Sequence, residues 1–301
     1  MSTAADAPVL SVVIPTFNNE QVLRRAVGSW RTCGGTQPFE LVVVEDGCRD
    51  LTRAYLEETA ATAWGQRHLR WLHMDDAHEL RCTNAGFAAA RGSLLAAWQD
   101  DMSLRARWLV PELLRLFDRH PDLGLLSLSR GLDLFPLEEP LARWEDLLDW
   151  RRMRGTIGGS PWNWIRVQEV DIVIRPWVVR RACLDEVGPL DEAFVPTEWD
   201  EADLAFRIRR AGWRIGTHGY ERVQAYHHLG SSTLGTLADA YKTRVLANGR
   251  LFHARWDDEI RRSHARPRRT WRRPMTAAAW AHAARAAAQA LGRRVRTAAY
   301  A

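Results

Sequence analysis

Lysine is almost missing from this chain: Lys242 stands alone against 41 arginines in 301 residues. From Ile260 to Ala301 there are eleven arginines and no aspartate or glutamate, so the net charge of +5 belongs to the tail. The residues before Ile260 carry 31 basic against 37 acidic side chains, and with no RNA or DNA module in view nucleic-acid binding is not expected. Cysteine is scarce as well. Cys33, Cys48, Cys82 and Cys183 have neither CxxC spacing nor the density of a disulfide scaffold, so they read as reduced thiols of a cytosolic protein. No apolar run approaches the roughly 18 to 20 residues of a transmembrane helix. The opening "MSTAADAPVL" lacks the basic and apolar regions of a signal peptide, and a cytoplasmic location is the expectation. No GxGxxG follows the first apolar run, and no GxxxxGKS, GxxxxGKT or GxSxG occurs. Dinucleotide oxidoreductases, P-loop enzymes and α/β-hydrolases therefore lack their defining parts here.

What is present is material for a large core: 46% of residues are hydrophobic, and the length fits one large domain or one domain with an appendage. The first hundred residues alternate between two periods. "VLSVVIP", "FELVVVED", "LRWLHM" and "SLLAAWQ" are short apolar runs, as expected of strands buried on both faces. Between them, "NNEQVLRRAVGSW", "CRDLTRAYLEETAATAW" and "TNAGFAAARG" have helical spacing. This order predicts an α/β fold with a mostly parallel central sheet flanked by helices, and in such sheets ligands bind beyond the carboxyl ends of the strands.

Further on, "ARWLVPELLRLFDRH", "EADLAFRIRRAG" and a stretch from Leu234 to Arg255 read as helices, and "LGLLSLS" as a strand. Residues 131 to 170 show no clear period and read as a long functional loop region. An arginine-proline stretch then leads to a last alanine-rich helix, Met275 to Leu291.

Polar residues gather at the strand ends: Thr16, Phe17 and Asn18 after the first, Glu45, Asp46 and Gly47 after the second, Asp100 and Asp101 after the fourth. Adjacent aspartates repel one another, and a hard divalent cation relieves that repulsion with the oxygen ligands it prefers. The alternative is a solvated turn. Asp46 can accept a hydrogen bond from a nucleotide, or can serve the Asp-Gly turn it begins. "TEWDEADLAFRIRRAGWRI" sets Glu198, Asp200, Glu201 and Asp203 ahead of an amphipathic helix. Two of these are explained by the helix dipole, and another is free to act as a general base. Of His227 and His228 in "YHHLGSST", at most one is expected to enter a given site.

In order, these pieces resemble the family 2 glycosyltransferases of the GT-A fold. "SVVIPTFNNEQVLRRAVGSW" is similar to the family's opening strand and helix, and "ELVVVEDGCRDLT" to the segment whose aspartate, here Asp46, contacts the nucleotide base. "RCTNAGFAAARGSLLAAWQDDM" resembles the run into the metal-binding DxD-type motif. The resemblance, over roughly residues 9 to 256, implies nucleotide contacts from Pro15, Thr16, Asn18, Asp46, Arg81, Asn84 and Asp100. It implies Mn2+ or Mg2+ held by Asp101 and Asp100, with His227 in register as a further ligand. The acceptor-side motif, usually E-D-x-D-L, reads Asp200-Glu201-Ala202-Asp203-Leu204 here, so the catalytic base falls on Glu201, with Asp200 as runner-up.

The implied reaction is an inverting transfer of a sugar from a nucleotide diphosphate sugar to an acceptor hydroxyl. The acceptor would be a glycan, a lipid-linked sugar or a small molecule, in bacterial glycan, glycolipid or glycosylated-metabolite synthesis. A non-catalytic nucleotide-sugar binder or scaffold of the same fold is the alternative. The resemblance divides the chain into a glycosyltransferase domain, 1–256, with a donor half (1–105) and an acceptor half (106–256), and a basic helical extension, 257–301. That extension, carrying Trp280, could touch the inner face of an anionic membrane.

Overall fold

The computed structural model describes residues 8–137, 139–143, 146, 153–155, 166–196, 198–218, 225–228, 239–264 and 270–272, with Ala277, Trp280, Ala281 and Ala284. The first half alternates as the apolar runs predict: β1 (Leu10–Thr16), α1 (Glu20–Cys33), β2 (Phe39–Asp46), α2 (Thr52–Ala61), α3 (Ala63–His68), β3 (Leu69–Met74), α4 (His78–Ala89) and β4 (Leu94–Ala97). The single helix expected between β2 and β3 is two. Thr62 is extended, and its hydroxyl accepts the N–H of Gly65 to start α3.

The second half contains β5 (Met102–Leu104), α5 (Leu109–Arg119), β6 (Leu123–Ser127), β7 (Gly131–Leu134), β8 (Met153–Gly155), β9 (Arg166–Glu169), β10 (Ile172–Val173), β11 (Trp177–Arg180), α6 (Arg181–Val187), α7 (Asp200–Arg210), β12 (Arg214–Thr217), β13 (Tyr226–His228), α8 (Asp239–His264) and β14 (Thr270–Arg272). The stretch from 131 to 170, expected to be loop, thus contributes strands. Short antiparallel pairings build them, β7 with β8 and β10, and β9 with β12 and β14.

The main sheet has the strand order β14-β9-β12-β6-β11-β4-β1-β2-β3. β1, β2, β3 and β4 are mutually parallel, β12 is parallel to β6, and β11 and β9 run against their neighbours. The sheet is covered on both sides, as near-continuous apolar strands require. Val12 and Ile14 pack on one face with Leu23, Val27 and Trp30 of α1 and with the apolar side of α5. Val13 and Val42 pack on the other face, in one core with Phe87 of α4, Phe206 of α7 and Phe252 of α8. Gly86 lets α4 come that close: a Cβ there would lie 2.2 Å from Val13 Cγ1.

The domain boundary expected at residue 256 falls inside α8, whose Trp256 and Ile260 are core residues, and β14 joins the main sheet beyond it. Of the helix expected from Met275 to Leu291, only Ala277, Trp280, Ala281 and Ala284 lie among the described residues. All four are helical and exposed. All four cysteines are free, and burial pushes the Cys82 and Cys183 thiols up to about 12.

Candidate active site

The Asp100-Asp101 turn is held from behind. Trp98 is fully buried, with its ring 5.3 Å from that of Trp30 and 5.5 Å from that of Tyr226. Its indole N–H reaches across the turn to the carbonyl of Met102, at 2.8 Å. A large aromatic residue at the end of β4 therefore fixes the carboxylates that follow it. Thr16, from the end of β1, donates its hydroxyl to Asp100 at 2.8 Å. Asp101 is buried as well. Burial pushes Asp100 up to about 6, against the hydrogen bonds from Thr16 and Asn19, with the charges of Asp101 and Glu79 adding to the rise.

Pro15 lies opposite Val44 of β2 and beyond the last β1–β4 pair, so its missing N–H leaves the β4 side of the ladder intact. Asn18 has a positive φ of 49° and links two strand-end loops: its amide oxygen accepts the N–H of Arg49 at 2.7 Å. At the end of β2, Gly47 has φ +65°, a conformation natural to glycine. The turn points Asp46 at the start of α4, where its two oxygens accept the N–H groups of Ala77 and His78, at 2.7 and 2.9 Å. Asp46 thereby supplies the cap that Ala77 cannot, and the Cys82 thiol also bonds its carboxylate, whose four acceptor positions are thus not all taken.

Arg81 and Asn84, expected at the nucleotide, are engaged elsewhere. Arg81 pairs with Glu192 at 2.9 Å, and the Asn84 amide both donates to and accepts from the backbone of Leu190. Their i,i+3 spacing puts them on one flank of α4, and that flank fastens the donor half to the segment leading into α7. His227 lies opposite Ser103 in the β13–β5 pair, which brings the histidine motif beside the aspartate turn, and its side chain is exposed.

The acceptor-side carboxylates lie in the first turn of α7. Glu198 and Trp199, immediately before it, both have positive φ, 71° and 69°, a costly conformation for bulky residues. Packing holds them there: the Trp199 ring lies 5.0 Å from that of Phe252, and Tyr241 of α8 donates to Glu198 at 3.2 Å. Asp203 is explained by structure, as its buried carboxylate accepts from Arg207 at 2.8 Å, Trp256 at 2.9 Å and Arg255 at 3.2 Å. Asp200 and Glu201 instead face Arg175, a buried arginine that also pairs with Glu79 of α4. Burial raises Glu201 above the ordinary glutamate range; Arg175 opposes the rise, Asp200 adds to it, the Trp177 indole opposes it and Glu79 adds to it. Asp200 is raised in the same sense by burial, against the pull of Arg175.

Sequence reasoning missed Arg175 and Glu79. The available signal was an arginine set inside the apolar run "VDIVIRPWVV", where an unmatched charge is costly. Among the described residues no three His, Cys, Asp or Glu side chains form a ready cation cluster. The donor chemistry of Asp100 and Asp101, adjacent carboxylates of which the first is half-buried and the second buried, nevertheless suits a hard divalent ion.

Residues 11–156, which hold the strand ends and the aspartate turn, match the family described as Glycosyl transferase family 2. The described residues have the GT-A glycosyltransferase fold. The chain superposes on the mannosyltransferase PcManGT from Pyrobaculum calidifontis, in complex with GDP-Man and Mn2+, with a TM-score of 0.50 and 17% identity, over 97% of this chain and 83% of that one. For GalNAc-T7 with UDP, GalNAc and Mn2+ the TM-score is 0.62 at 13% identity, over 85% of this chain and 50% of that one. An uncharacterized protein, y4gI of Sinorhizobium fredii (strain NBRC 101917 / NGR234), is 26% identical over 242 residues, covering 75% of this chain. The chain spans a quarter of that relative's length, 25%.

Proposed function

We propose that this chain is a metal-dependent inverting glycosyltransferase that moves a sugar from a nucleotide diphosphate sugar to an acceptor hydroxyl. One observation supports this most: buried Arg175 pairs with Glu79 of α4, in the donor half, and with Glu201 of α7, so the two halves meet at the acceptor-side carboxylates. Asp100 and Asp101, with His227 on the neighbouring strand, would hold Mn2+ or Mg2+. The ion would supply neutralising charge for the leaving diphosphate. Pro15, Thr16 and Asn18 would form the strand-end wall beside the nucleotide, and the remaining acceptor position of Asp46 would take a hydrogen bond from its base.

Glu201 would accept the proton of the acceptor hydroxyl. The acceptor oxygen then bonds to the anomeric carbon while the bond from that carbon to the diphosphate oxygen breaks, and the electron pair leaves with the diphosphate. A single in-line displacement inverts the centre and forms no covalent enzyme intermediate. The Glu201 carboxylate is 18% exposed and that of Asp200 only 2%, which favours Glu201 as the group an acceptor can reach. The same reading extends to a glycan, lipid-linked sugar or small-molecule acceptor in bacterial metabolism, and to a cytoplasmic protein. No helix among the described residues is long and apolar enough to cross a membrane. Trp280, 52% exposed beside an arginine-rich sequence, supports peripheral contact with an anionic surface.

The test is release of nucleoside diphosphate from GDP-mannose, UDP-GlcNAc and UDP-GalNAc with Mn2+ and a panel of hydroxyl acceptors. Wild-type protein should turn over one donor, and E201Q and D101N should not. Binding without turnover by the wild type would leave a nucleotide-sugar-binding scaffold instead.

A further inference from the structure

Arg175 is 8% exposed and follows the buried pair Ile172–Val173 of β10. A guanidinium there carries a large desolvation cost, which only charged partners with good geometry offset. Its partners come from two distant helices and all belong to the site. Nη1 pairs with Glu79 in the first turn of α4, Nε pairs with Glu201 in the first turn of α7, and Nη2 lies 3.7 Å from Asp200 Oδ2. A planar fork makes three such contacts in fixed directions, which a lysine ammonium does not.

We propose that Arg175 is the positioning residue of Glu201, orienting its carboxylate toward the acceptor while Glu79 braces the guanidinium from the donor half. The inference rests on the reading of Glu201 as the base. Burial and the neighbouring charges of Asp200 and Glu79 favour the protonated form of Glu201, which cannot take a proton; Arg175 and the Trp177 indole favour the carboxylate. The charged and titratable groups around Glu201 are thus Glu79 on α4, Arg175 before β11 and Asp200 on α7. Glu198, which Tyr241 of α8 holds by a hydrogen bond, lies beside Asp200 and feels both Glu79 and Arg175.

Arg175 and Glu79 therefore act on Glu201 with opposite sign. The experiment is a carbon-13 NMR titration of full-length protein labelled at the glutamate side-chain carboxyl, with the Glu201 resonance assigned by its loss in E201Q. R175Q should move the Glu201 midpoint upward by about one pH unit or more, a tenfold change in the ionised fraction. R175K should move it upward by less, and E79Q should move it downward. The acid limb of kcat/KM for sugar transfer should shift in the same order, with the donor KM within about twofold of wild type. If R175Q does not fold, R175K and E79Q carry the comparison. A midpoint that stays in place in the arginine variants, or rises in E79Q, overturns the inference. The titration needs no turnover, so wild-type protein that follows this order yet releases no nucleoside diphosphate counts against the transferase reading alone.

Discussion

Thr16 and Asp100 are 84 positions apart in sequence, yet the Thr16 hydroxyl donates a 2.8 Å hydrogen bond to the Asp100 carboxylate. This contact joins the ends of two parallel strands, so Asp100 is anchored to the sheet and does not sit in a freely solvated turn. A hydrogen bond to a charged group contributes about 1.5 kcal/mol or more. Thr16→Val should therefore weaken Mn2+-dependent binding of the preferred nucleotide about tenfold, measured by calorimetry. Unchanged affinity would detach Thr16 from the donor site.

Asp203 and Glu201 should behave as opposites although they share one helical turn. Asp203→Ala leaves Arg207, Arg255 and Trp256 without their shared buried acceptor and should destabilise the fold by about 3 kcal/mol, seen as a lower midpoint in urea. Glu201→Gln keeps an amide oxygen to accept from Arg175, and Glu79 and Asp200 remain beside that guanidinium, so it should cost clearly less stability than Asp203→Ala while ending turnover. A large stability loss in E201Q would make it a structural residue.

The pH dependence of stability follows from Glu201, whose pKa burial raises in the folded state from an ordinary 4.5. The native protein then holds a proton that the unfolded chain has released, so this contribution is fully present below pH 4.5 and is lost as pH rises through the raised value. Wild-type thermal stability should fall more steeply than that of E201Q above pH 4.5, read by scanning calorimetry. Parallel curves for the two proteins would contradict the raised pKa.

Helix α4 carries Glu79 into the site, and its seat on the sheet depends on Gly86. A methyl group there meets Val13 Cγ1 at 2.2 Å and Val44 Cγ2 at 3.2 Å. Gly86→Ala should cost about 1 to 3 kcal/mol through overpacking, despite the better helix propensity of alanine. Stability equal to or above wild type would show that the seat is looser than the distances indicate.

The parallel half of the fold was legible because its strands are buried on both faces and so lack polar interruptions: "VLSVVIP" and "FELVVVED" advertise themselves. The aspartate turn and the first turn of α7 were legible for a related reason, since charges at the ends of apolar elements stand out. What stayed hidden is set by long-range pairing. The strands between 131 and 170 are three or four residues long and leave little alternation to read. The roles of Arg81 and Asn84 depend on Glu192 and Leu190, more than a hundred positions away. Arg175 declares itself only when its three carboxylate partners are seen together.

The central claim is that the carboxylates at the end of β4 exist for a cation and a nucleotide diphosphate, and thermal unfolding tests it most directly. Wild-type protein and D101N would be melted with GDP, UDP, CDP and dTDP, each with Mn2+ and with EDTA. The account predicts that one nucleotide raises the wild-type melting temperature only when Mn2+ is present, and that D101N loses the shift. No shift with any nucleotide, or a shift indifferent to both metal and Asp101, would contradict it.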